Sequence, residues 1–437
     1  MSGNSSIYGM LSSVFERAIV FSKFTDKRSI SALCDALLSG RGEASGTKIA
    51  HALFNKYETL SVEEKQAFFI YLNENLDVST EDAQAAATEY AANKSADALK
   101  KLRKACEPKR LDLLRQLNSA PGGTERLVRM REDLLGLLND VSDLKRTDGD
   151  FEYLFSSWFN RGFLVLRPID WTTPAHILEK VISYEAVHEI SSWDDLRRRL
   201  LPEDRRCYAF FHPAMPDEPL IFVEVALTNE IATSIQVVLA EGRDEIAAEE
   251  ASAAVFYSIS NCQKGLQGVS FGNFLIKQVA SDLAFDLPNL KTFVTLSPVP
   301  TFTRWLSKTS EEAPDGKAHE ALGAVQSIED GEGLKRIAGL KDSLTELAAH
   351  YFINEKRPDG LPIDPVSRFH LGNGASLLQI NWAGDVSTKG LKQSAGLMVN
   401  YLYNLQDVET NHETYAQDRV VVAHRSVKSL ADKALRS

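Results

Sequence analysis

The sequence predicts a two-domain α+β protein, in which an N-terminal all-α helical bundle (1–162) precedes a mixed α/β domain (163–437). Three observations support this class. The first third has apolar residues at helical spacing and few turn-rich strands. Residues 253–300 read as strand, glycine-bearing loop, helix and strand. Short aromatic and β-branched runs between turns occur over 207–239.

Helix signals follow one another through the first domain. Ser61 and Glu64 form a capping box in front of the apolar residues of 65–72. Thr80 opens an alanine-rich run, 83–98, whose helical pattern continues in the leucines that follow. The remaining helices are predicted at 99–117, 124–144 and 151–159. A charged, alanine-rich bundle of this kind either has solvated faces or presents a dimerisation surface.

The second domain begins with one helix and several strands. Thr173 as N-cap and Pro174 as the first helical residue predict a helix over 176–183. Strands are predicted at 207–211, 220–227 and 234–239. The acidic segment 310–330 is a candidate mobile insertion, and it is either a solvent-exposed loop or a lid.

The centre of the domain has the clearest order of elements. A strand rich in aromatic and β-branched residues (254–260) leads to a loop (263–273), a helix (274–285) and a second strand (292–296). A crossover of this length predicts that the two strands are parallel neighbours.

The loop has the composition of an anion-binding turn. Gly265, Gly268 and Gly272 allow tight turning and close approach to a ligand, and the following helix start offers free N–H groups to a phosphate. It lacks the Gly-Lys-Ser/Thr of a Walker loop and the full Gly-x-Gly-x-x-Gly of a dinucleotide fold. The pattern Gln-Gly-x-Ser-x-Gly over 267–272 resembles the pyrophosphate loop of GNAT-type acyl-CoA enzymes. By itself it predicts either phosphate binding or tight packing.

A collinear set of motifs covers the C-terminal two-thirds of the chain. Ser297 stands between Leu296 and Pro298 at the end of the second strand, and His370 stands between Phe369 and Leu371. The segments of the set are 193–199, 206–208, 218–220, 225–228, 295–302, 364–375, 380–387 and 396–403. Together they closely resemble the malonyl-CoA decarboxylase family.

The resemblance implies a GNAT-like fold for the second domain and conversion of malonyl-CoA to acetyl-CoA and CO2. It assigns proton transfer to Ser297 and His370 and places Tyr403 near the substrate. The segment that it implies for the CoA phosphates is Gln267, Gly268, Val269, Ser270, Phe271, Gly272 and Asn273. Ser270 departs from relatives that carry a carboxylate there. No metal or organic cofactor is expected, because the thioester itself accepts the electrons.

The chemistry suits these residue types. Loss of CO2 leaves an enolate that hydrogen-bond donors can stabilise, and a histidine with a pKa near its usual value of about 6.5 can protonate the carbon. We expect His370 to supply that proton and Ser297 to bond the substrate and relay protons. Acylation of Ser297 is the second interpretation, because the sequence around it is not a Gly-x-Ser-x-Gly elbow.

Other interpretations of these residues remain open. A serine before proline is commonly a turn or capping group, a histidine between apolar residues is commonly a hydrogen-bonded core residue, and Tyr403 could simply pack. The alternative functions are a GNAT-type acyltransferase that uses an amine acceptor and a non-catalytic acyl-CoA-binding sensor.

Composition limits the partners. The chain of 437 residues is 44% hydrophobic and carries a net charge of −11, which argues against broad nucleic-acid binding. Lys264, Lys277 and Lys291 could make the field near the loop positive, or they could be solvated surface lysines. No apolar run approaches the roughly 18–20 residues that span a bilayer, so no membrane partner is expected.

The remaining expectations concern metals, location and assembly. The four cysteines have no Cys-x-x-Cys spacing, and the Glu185/His188 and Glu409/His412 pairs offer only two ligands each, so no metal site is predicted. Scattered cysteines and an N-terminus without a signal-peptide pattern predict a cytoplasmic, bacterial enzyme. The family resemblance implies a homodimer or homotetramer formed through the helical domain.

Overall fold

The structure is a computed structural model that describes residues 26–40, 43–269, 275–312, 317–326 and 338–434. These residues form two compact units. The first contains the described chain up to Phe163 together with His212–Pro216 and 263–269, and the second contains the other described residues. The units therefore differ from the predicted domains 1–162 and 163–437, because two short later segments belong to the first unit.

The first unit is helical. Its helices are α1 (Ile30–Leu38), α2 (Glu43–Glu58), α3 (Val62–Asn75), α4 (Thr80–Ala92), α5 (Ala96–Ala105), α6 (Lys109–Asn118), α7 (Gly123–Leu137) and α8 (Lys145–Trp158). Its core is apolar, with Phe54, Phe69, Leu114 and Phe151 all almost fully buried. Burial of such side chains provides the main driving force for packing the helices together.

Helix boundaries in this unit follow capping chemistry more closely than apolar spacing. The predicted capping box of Ser61 and Glu64 is present at the start of α3. The predicted run 83–98 is broken, because Ser95 caps a new helix by accepting the N–H of Ala98 at 3.2 Å. Pro108, which has no N–H to donate, lies between α5 and α6 and interrupts the predicted pattern 99–117.

The second unit combines helices with one sheet. Its helices are α9 (Ala175–Tyr184), α10 (Trp193–Leu200), α11 (Ile235–Val238), α12 (Leu275–Asp286), α13 (Phe302–Glu312), α14 (Lys317–Gln326), α15 (Lys341–Ile353), α16 (Pro365–Gly372), α17 (Thr388–Ser394), α18 (Val408–Asp418) and α19 (Arg425–Ala434). Its strands are β1 (Val165–Pro168), β2 (Arg205–Phe211), β3 (Ile221–Thr228), β4 (Ala253–Asn261), β5 (Thr292–Thr295), β6 (Ser297–Pro298), β7 (Ser376–Asn381) and β8 (Met398–Leu402).

The described strands form a mixed sheet in the order β1-β2-β3-β4-β5-β8-β6, and β7 also pairs with β8. Strands β1 to β4 are antiparallel neighbours, whereas β4 and β5 are parallel, with Val255 opposite Val294. The parallel pairing predicted for the strands at 254–260 and 292–296 is therefore confirmed. With the helical unit before it, this sheet also confirms the predicted α+β class, an all-α part followed by a mixed α/β domain.

Helices cover both faces of this sheet. On one face α12, α15 and α19 pack against side chains that include Phe256, Val399 and Tyr401. On the other face α9, α10 and α11 pack against Phe222, Val255 and other apolar residues. A sheet covered in this way is buried on both sides, which explains the nearly continuous apolar sequence of β3 and β4.

Three predicted details of the second unit differ from the structure. The predicted strand 234–239 contains the short helix α11, because Ile235 and Val238 are buried three residues apart while Val237 is 69% exposed. Pro174, not Thr173, is the N-cap of α9. Part of the predicted insertion 310–330 is helical in α13 and α14, with Ala321 fully buried, and 313–316 and 327–330 lie outside the described residues.

Candidate active site

Ser297 lies where the chain leaves one strand and begins the next. The main chain follows β4 as far as Leu296, whose N–H donates to the carbonyl of Phe256 at 2.9 Å. Ser297 then pairs with Val399 of β8. The serine is only 5% exposed. Its hydroxyl is thus fixed at a strand junction inside the second unit.

His370 reaches this junction from the last turn of α16. The helix begins at Pro365, and the Asp364 carboxylate caps it by accepting the N–H of Ser367 at 2.7 Å. His370 is 2% exposed, and its Nε2 lies 3.0 Å from Ser297 Oγ. Two residues that are 73 positions apart in sequence therefore share a buried hydrogen bond.

Tyr403 completes the arrangement directly after β8. Its N–H donates to the carbonyl of Phe293 at 2.8 Å, and its hydroxyl lies 2.9 Å from Nδ1 of His370. The ring of Tyr401 stacks on the imidazole, with centroids 4.6 Å apart and planes 25° apart. Ser297, His370 and Tyr403 thus form one continuous hydrogen-bonded series, which we call the Ser–His–Tyr chain.

Burial keeps the Ser–His–Tyr chain uncharged near neutral pH. Removal from water lowers the pKa of His370 to about 3 and raises the pKa of the Tyr403 hydroxyl. The imidazole is therefore neutral near pH 7. The expectation that His370 titrates near its usual value is wrong, because sequence alone does not reveal how completely the imidazole is buried.

Thr295 and Asn400 support the chain, and the sequence analysis did not assign roles to them. Ser297 donates its hydroxyl proton to Thr295 Oγ1 at 2.9 Å, and the N–H of Tyr401 donates to the same oxygen at 3.1 Å. The amide of Asn400 donates to the carbonyl of Thr295 at 2.6 Å. The sequence contains one indication of this contact: Thr295 and Ser297 are two residues apart, which puts both side chains on one face of an extended chain.

A second buried network holds the N-terminal end of α16. Thr301 donates to the Asp364 carboxylate at 3.2 Å and shares a 2.6 Å hydrogen bond with the Tyr351 hydroxyl. Burial raises the pKa of Asp364 to about 6. Because Asp364 caps the helix that carries His370, this network fixes the position of the imidazole from outside the Ser–His–Tyr chain.

The predicted CoA-phosphate segment is described only in part. Gln267, Gly268 and Val269 belong to the first unit, where Arg131 donates to the carbonyl of Gln267 at 2.8 Å. Gly268 has a φ of 83°, in the left-handed region that favours glycine. The other predicted members, Ser270, Phe271, Gly272 and Asn273, lie outside the described residues.

Gly265 is glycine because the main chain packs closely against α7 at this position. A Cβ at this position would lie 1.9 Å from the carbonyl oxygen of Val128 in α7. Arg131, which is 1% exposed, also donates to the carbonyl of Gly265 at 3.0 Å. Close packing against α7 therefore requires this glycine, which agrees with tight packing, one of the two interpretations left open for the loop.

The lysines proposed to make the field near the loop positive have protein partners. Lys264 lies 3.5 Å from the Glu132 carboxylate, Lys277 pairs with Glu409, and Lys291 donates to the carbonyl of Pro288 at 2.8 Å. Within the described ranges, no group of three or more His, Cys, Asp or Glu side chains could hold a metal ion. No helix in those ranges is long and apolar enough to span a bilayer.

The fold and these side chains define a mixed α/β domain with a buried, hydrogen-bonded serine, histidine and tyrosine. Comparison with known families is more specific. Residues 162–437 match the malonyl-CoA decarboxylase C-terminal domain, and residues 76–159 match the malonyl-CoA decarboxylase N-terminal domain. The chain belongs to the malonyl-CoA decarboxylase family of carboxy-lyases, as the sequence motifs predicted.

Individual relatives agree with this assignment. The crystal structure of malonyl-CoA decarboxylase from Rhodopseudomonas palustris is 50% identical, with a TM-score of 0.86 over 92% of this chain and 98% of that one. The corresponding structure from Agrobacterium vitis is 53% identical, with a TM-score of 0.86 over 92% and 99%. The mitochondrial malonyl-CoA decarboxylase of Anser anser anser is 38% identical over 354 residues, which are 75% of this chain and 70% of that relative.

Proposed function

We propose that this chain converts malonyl-CoA to acetyl-CoA and CO2. The observation that carries the proposal is the buried Ser–His–Tyr chain, in which Ser297 Oγ, both ring nitrogens of His370 and the Tyr403 hydroxyl are linked by contacts of 2.9–3.0 Å. Membership of the malonyl-CoA decarboxylase family supports the substrate. It also favours catalysis over the alternative of a binding-only sensor.

The proposed reaction has two steps. The bond between the α-carbon and the carboxylate breaks, CO2 leaves, and the electron pair moves through the α-carbon onto the thioester oxygen as an enolate. The enolate then collapses, and its carbon takes one proton to give acetyl-CoA. Donors aimed at the developing negative charge accelerate the first step, and each such donor typically contributes about 3–4 kcal/mol.

The geometry supports a relay of the proton to the α-carbon through neutral groups. The Ser297 hydroxyl gives its proton to the enolate carbon, and His370 Nε2 restores it across their 3.0 Å contact. The Tyr403 hydroxyl supplies Nδ1 in turn, and a proton taken up from solvent restores the Tyr403 hydroxyl in each turnover. In this proposal His370 is a neutral imidazole that supplies the proton through Ser297, whereas the sequence led us to expect direct donation from His370 to the carbon.

The proposal needs no metal or organic cofactor, because the thioester carbonyl is the electron sink. As the family resemblance implies, we keep 267–273 as the proposed segment for the CoA phosphates. Gln267→Ala and Gly268→Ala should raise KM for malonyl-CoA while leaving kcat within about twofold, because they change binding and not the chemical step. An unchanged KM in both variants would count against this segment.

Acyl transfer is the second candidate function. The 3.0 Å contact between Ser297 Oγ and a histidine nitrogen would also suit a nucleophilic serine. An acyltransferase would consume malonyl-CoA only with an acceptor such as an amine, whereas a decarboxylase requires none. The two functions therefore differ in their need for a second substrate.

Purified protein incubated with malonyl-CoA alone should form acetyl-CoA and CO2, followed by mass spectrometry. Ser297→Ala and His370→Asn should each reduce the rate roughly 10²–10⁴-fold, the usual contribution of proton-transfer groups. Thr345→Val, a change of a buried threonine whose hydroxyl bonds only within α15, is the matched control. Wild-type protein that forms no acetyl-CoA in the absence of an acceptor would refute the proposal.

We also propose that the protein works in the cytoplasm as a homodimer or homotetramer assembled through its helical N-terminal part. Light scattering coupled to size-exclusion chromatography should give a mass of two or four chains of 48.5 kDa. A monomer at micromolar concentration would contradict the proposed assembly. Fractionation of the native host would test the location.

A further inference from the structure

The hydroxyl of Thr295 is in a position to decide which reaction the Ser–His–Tyr chain performs. Thr295 is fully buried at the end of β5, and its Oγ1 accepts hydrogen bonds from the Ser297 hydroxyl at 2.9 Å and from the N–H of Tyr401 at 3.1 Å. We propose that Thr295 directs the site toward decarboxylation and away from thioester cleavage, by holding the Ser297 hydroxyl proton away from His370. This inference rests on the proposed function.

The direction of one hydrogen bond determines the others. Because Ser297 gives its only hydroxyl proton to Thr295, the 3.0 Å contact between Ser297 Oγ and His370 must be donated by Nε2–H. A neutral imidazole carries one proton, so Nδ1 is an acceptor and takes the Tyr403 hydroxyl proton across 2.9 Å. The protons therefore all point from Tyr403 toward Thr295.

In this order of hydrogen bonds, Ser297 has no base that could activate it as a nucleophile. In thioester cleavage, Ser297 Oγ bonds to the carbonyl carbon, its proton moves to Nε2, the C–S bond breaks and the CoA thiolate takes up a proton. Water then hydrolyses the ester and releases malonate. Nε2 that already carries a proton has no lone pair with which to take another, so Ser297 has no base in this order. Decarboxylation requires only donors, which this order supplies.

Removal of the Thr295 acceptor should allow the hydrogen bonds of the Ser–His–Tyr chain to run in the opposite direction. In Thr295→Val, the Ser297 hydroxyl has His370 Nε2 as its remaining neighbour among the contacts described for it. The imidazole would then carry its proton on Nδ1 and donate to the Tyr403 oxygen. Both hydrogen bonds of His370 are kept in this order, with the Tyr403 oxygen as an acceptor, and the serine gains a base. Thr295 thus acts as a positioning residue that sets the tautomer.

The test compares products and not rates alone. Wild type, Thr295→Val, Thr295→Ser and the control Thr345→Val are each incubated with malonyl-CoA, and acetyl-CoA, malonate and free CoA are quantified by mass spectrometry. Thr295→Val should raise the ratio of malonate to acetyl-CoA at least about tenfold, which corresponds to about 1.4 kcal/mol. Thr295→Ser, which keeps the hydroxyl, should restore the wild-type ratio, and Thr345→Val should show it too.

The outcomes separate this inference from the proposed function. Wild type that forms no acetyl-CoA overturns both, whereas acetyl-CoA from wild type with an unchanged ratio in Thr295→Val overturns the inference alone. If Thr295→Val does not fold, the ¹⁵N chemical shifts of His370 in the wild-type protein, assigned by comparison with His370→Asn, decide the question. A proton on Nε2 supports the inference, and a proton on Nδ1 overturns it.

Discussion

The neutral state of His370 predicts a specific loss of stability in acid. Burial lowers the pKa of His370 to about 3 in the folded protein, against 6.5 for an ordinary histidine. Between these values the unfolded chain binds a proton that the folded protein does not, so the free energy of unfolding falls as pH falls below 6.5. Each pH unit below 6.5 lowers the free energy of unfolding by about 1.36 kcal/mol. At pH 5, about 1.5 units below 6.5, the loss is therefore about 2 kcal/mol.

The perturbation is His370→Asn, which removes the titrating group and keeps a polar side chain. Unfolding of both proteins by urea, followed by tryptophan fluorescence, would give the free energy of unfolding at pH 7.5 and pH 5.0. At pH 7.5 the imidazole is neutral in both states, so the difference between the proteins there measures packing and hydrogen bonding only. The change from pH 7.5 to 5.0 should be smaller in the variant by about 2 kcal/mol.

The comparison is independent of other titrating groups, because those groups are present in both proteins. Equal losses of stability in wild type and His370→Asn would refute the reasoning. Such a result would mean that His370 accepts a proton in the folded protein near its ordinary pKa. The relay through a neutral imidazole would then also be wrong.

Three further predictions concern neighbouring positions. Tyr403→Phe leaves Nδ1 of His370 without its 2.9 Å partner, so kcat for acetyl-CoA formation should fall about tenfold with little change in KM, measured at steady state. Asp364 has a pKa raised to about 6 by burial, so its contribution to stability is lost as pH rises through 6. Between pH 5 and 7, ionisation of Asp364 should lower the free energy of unfolding of wild type by about 1.3 kcal/mol. This decrease should be absent in Asp364→Asn, measured by urea unfolding at both pH values. Gly265→Ala would place a Cβ 1.9 Å from the Val128 carbonyl and should lower Tm far more than Gly268→Ala, whose Cβ would lie 3.3 Å from the Glu152 carboxylate.

The central strands and helix could be predicted because their signals are local. Strand β4 contains several aromatic and β-branched residues, the apolar residues of α12 recur at helical spacing, and proline follows that helix, so neighbouring residues alone indicate each element. The failure at 234–239 shows the limit of this method. Isoleucine and valine in a short run fit a strand or a turn of helix equally well, and only the burial of Ile235 and Val238 decides between them.

The residues of the candidate site could be predicted from the sequence, but the contacts between them could not. Family motifs pointed to Ser297, His370 and Tyr403, but their hydrogen bonds depend on β5, β8 and α16 meeting in three dimensions. The same meeting buries His370 and lowers its pKa. Thr295 escaped attention because a threonine in a β-branched strand needs no other explanation than strand propensity.

The neutrality of the Ser–His–Tyr chain also fits the energetics of losing CO2. A cation beside the malonyl carboxylate would stabilise the substrate, and that stabilisation disappears when the carboxylate becomes CO2, so it would raise the barrier. Among the described contacts of Ser297, His370 and Tyr403 there is no lysine or arginine, and burial keeps the imidazole uncharged. Hydroxyl and N–H donors instead gain strength as charge moves onto the thioester oxygen. In the proposed reaction, a buried and neutral Ser–His–Tyr chain therefore favours the transition state over the bound substrate, which a protonated histidine would not do.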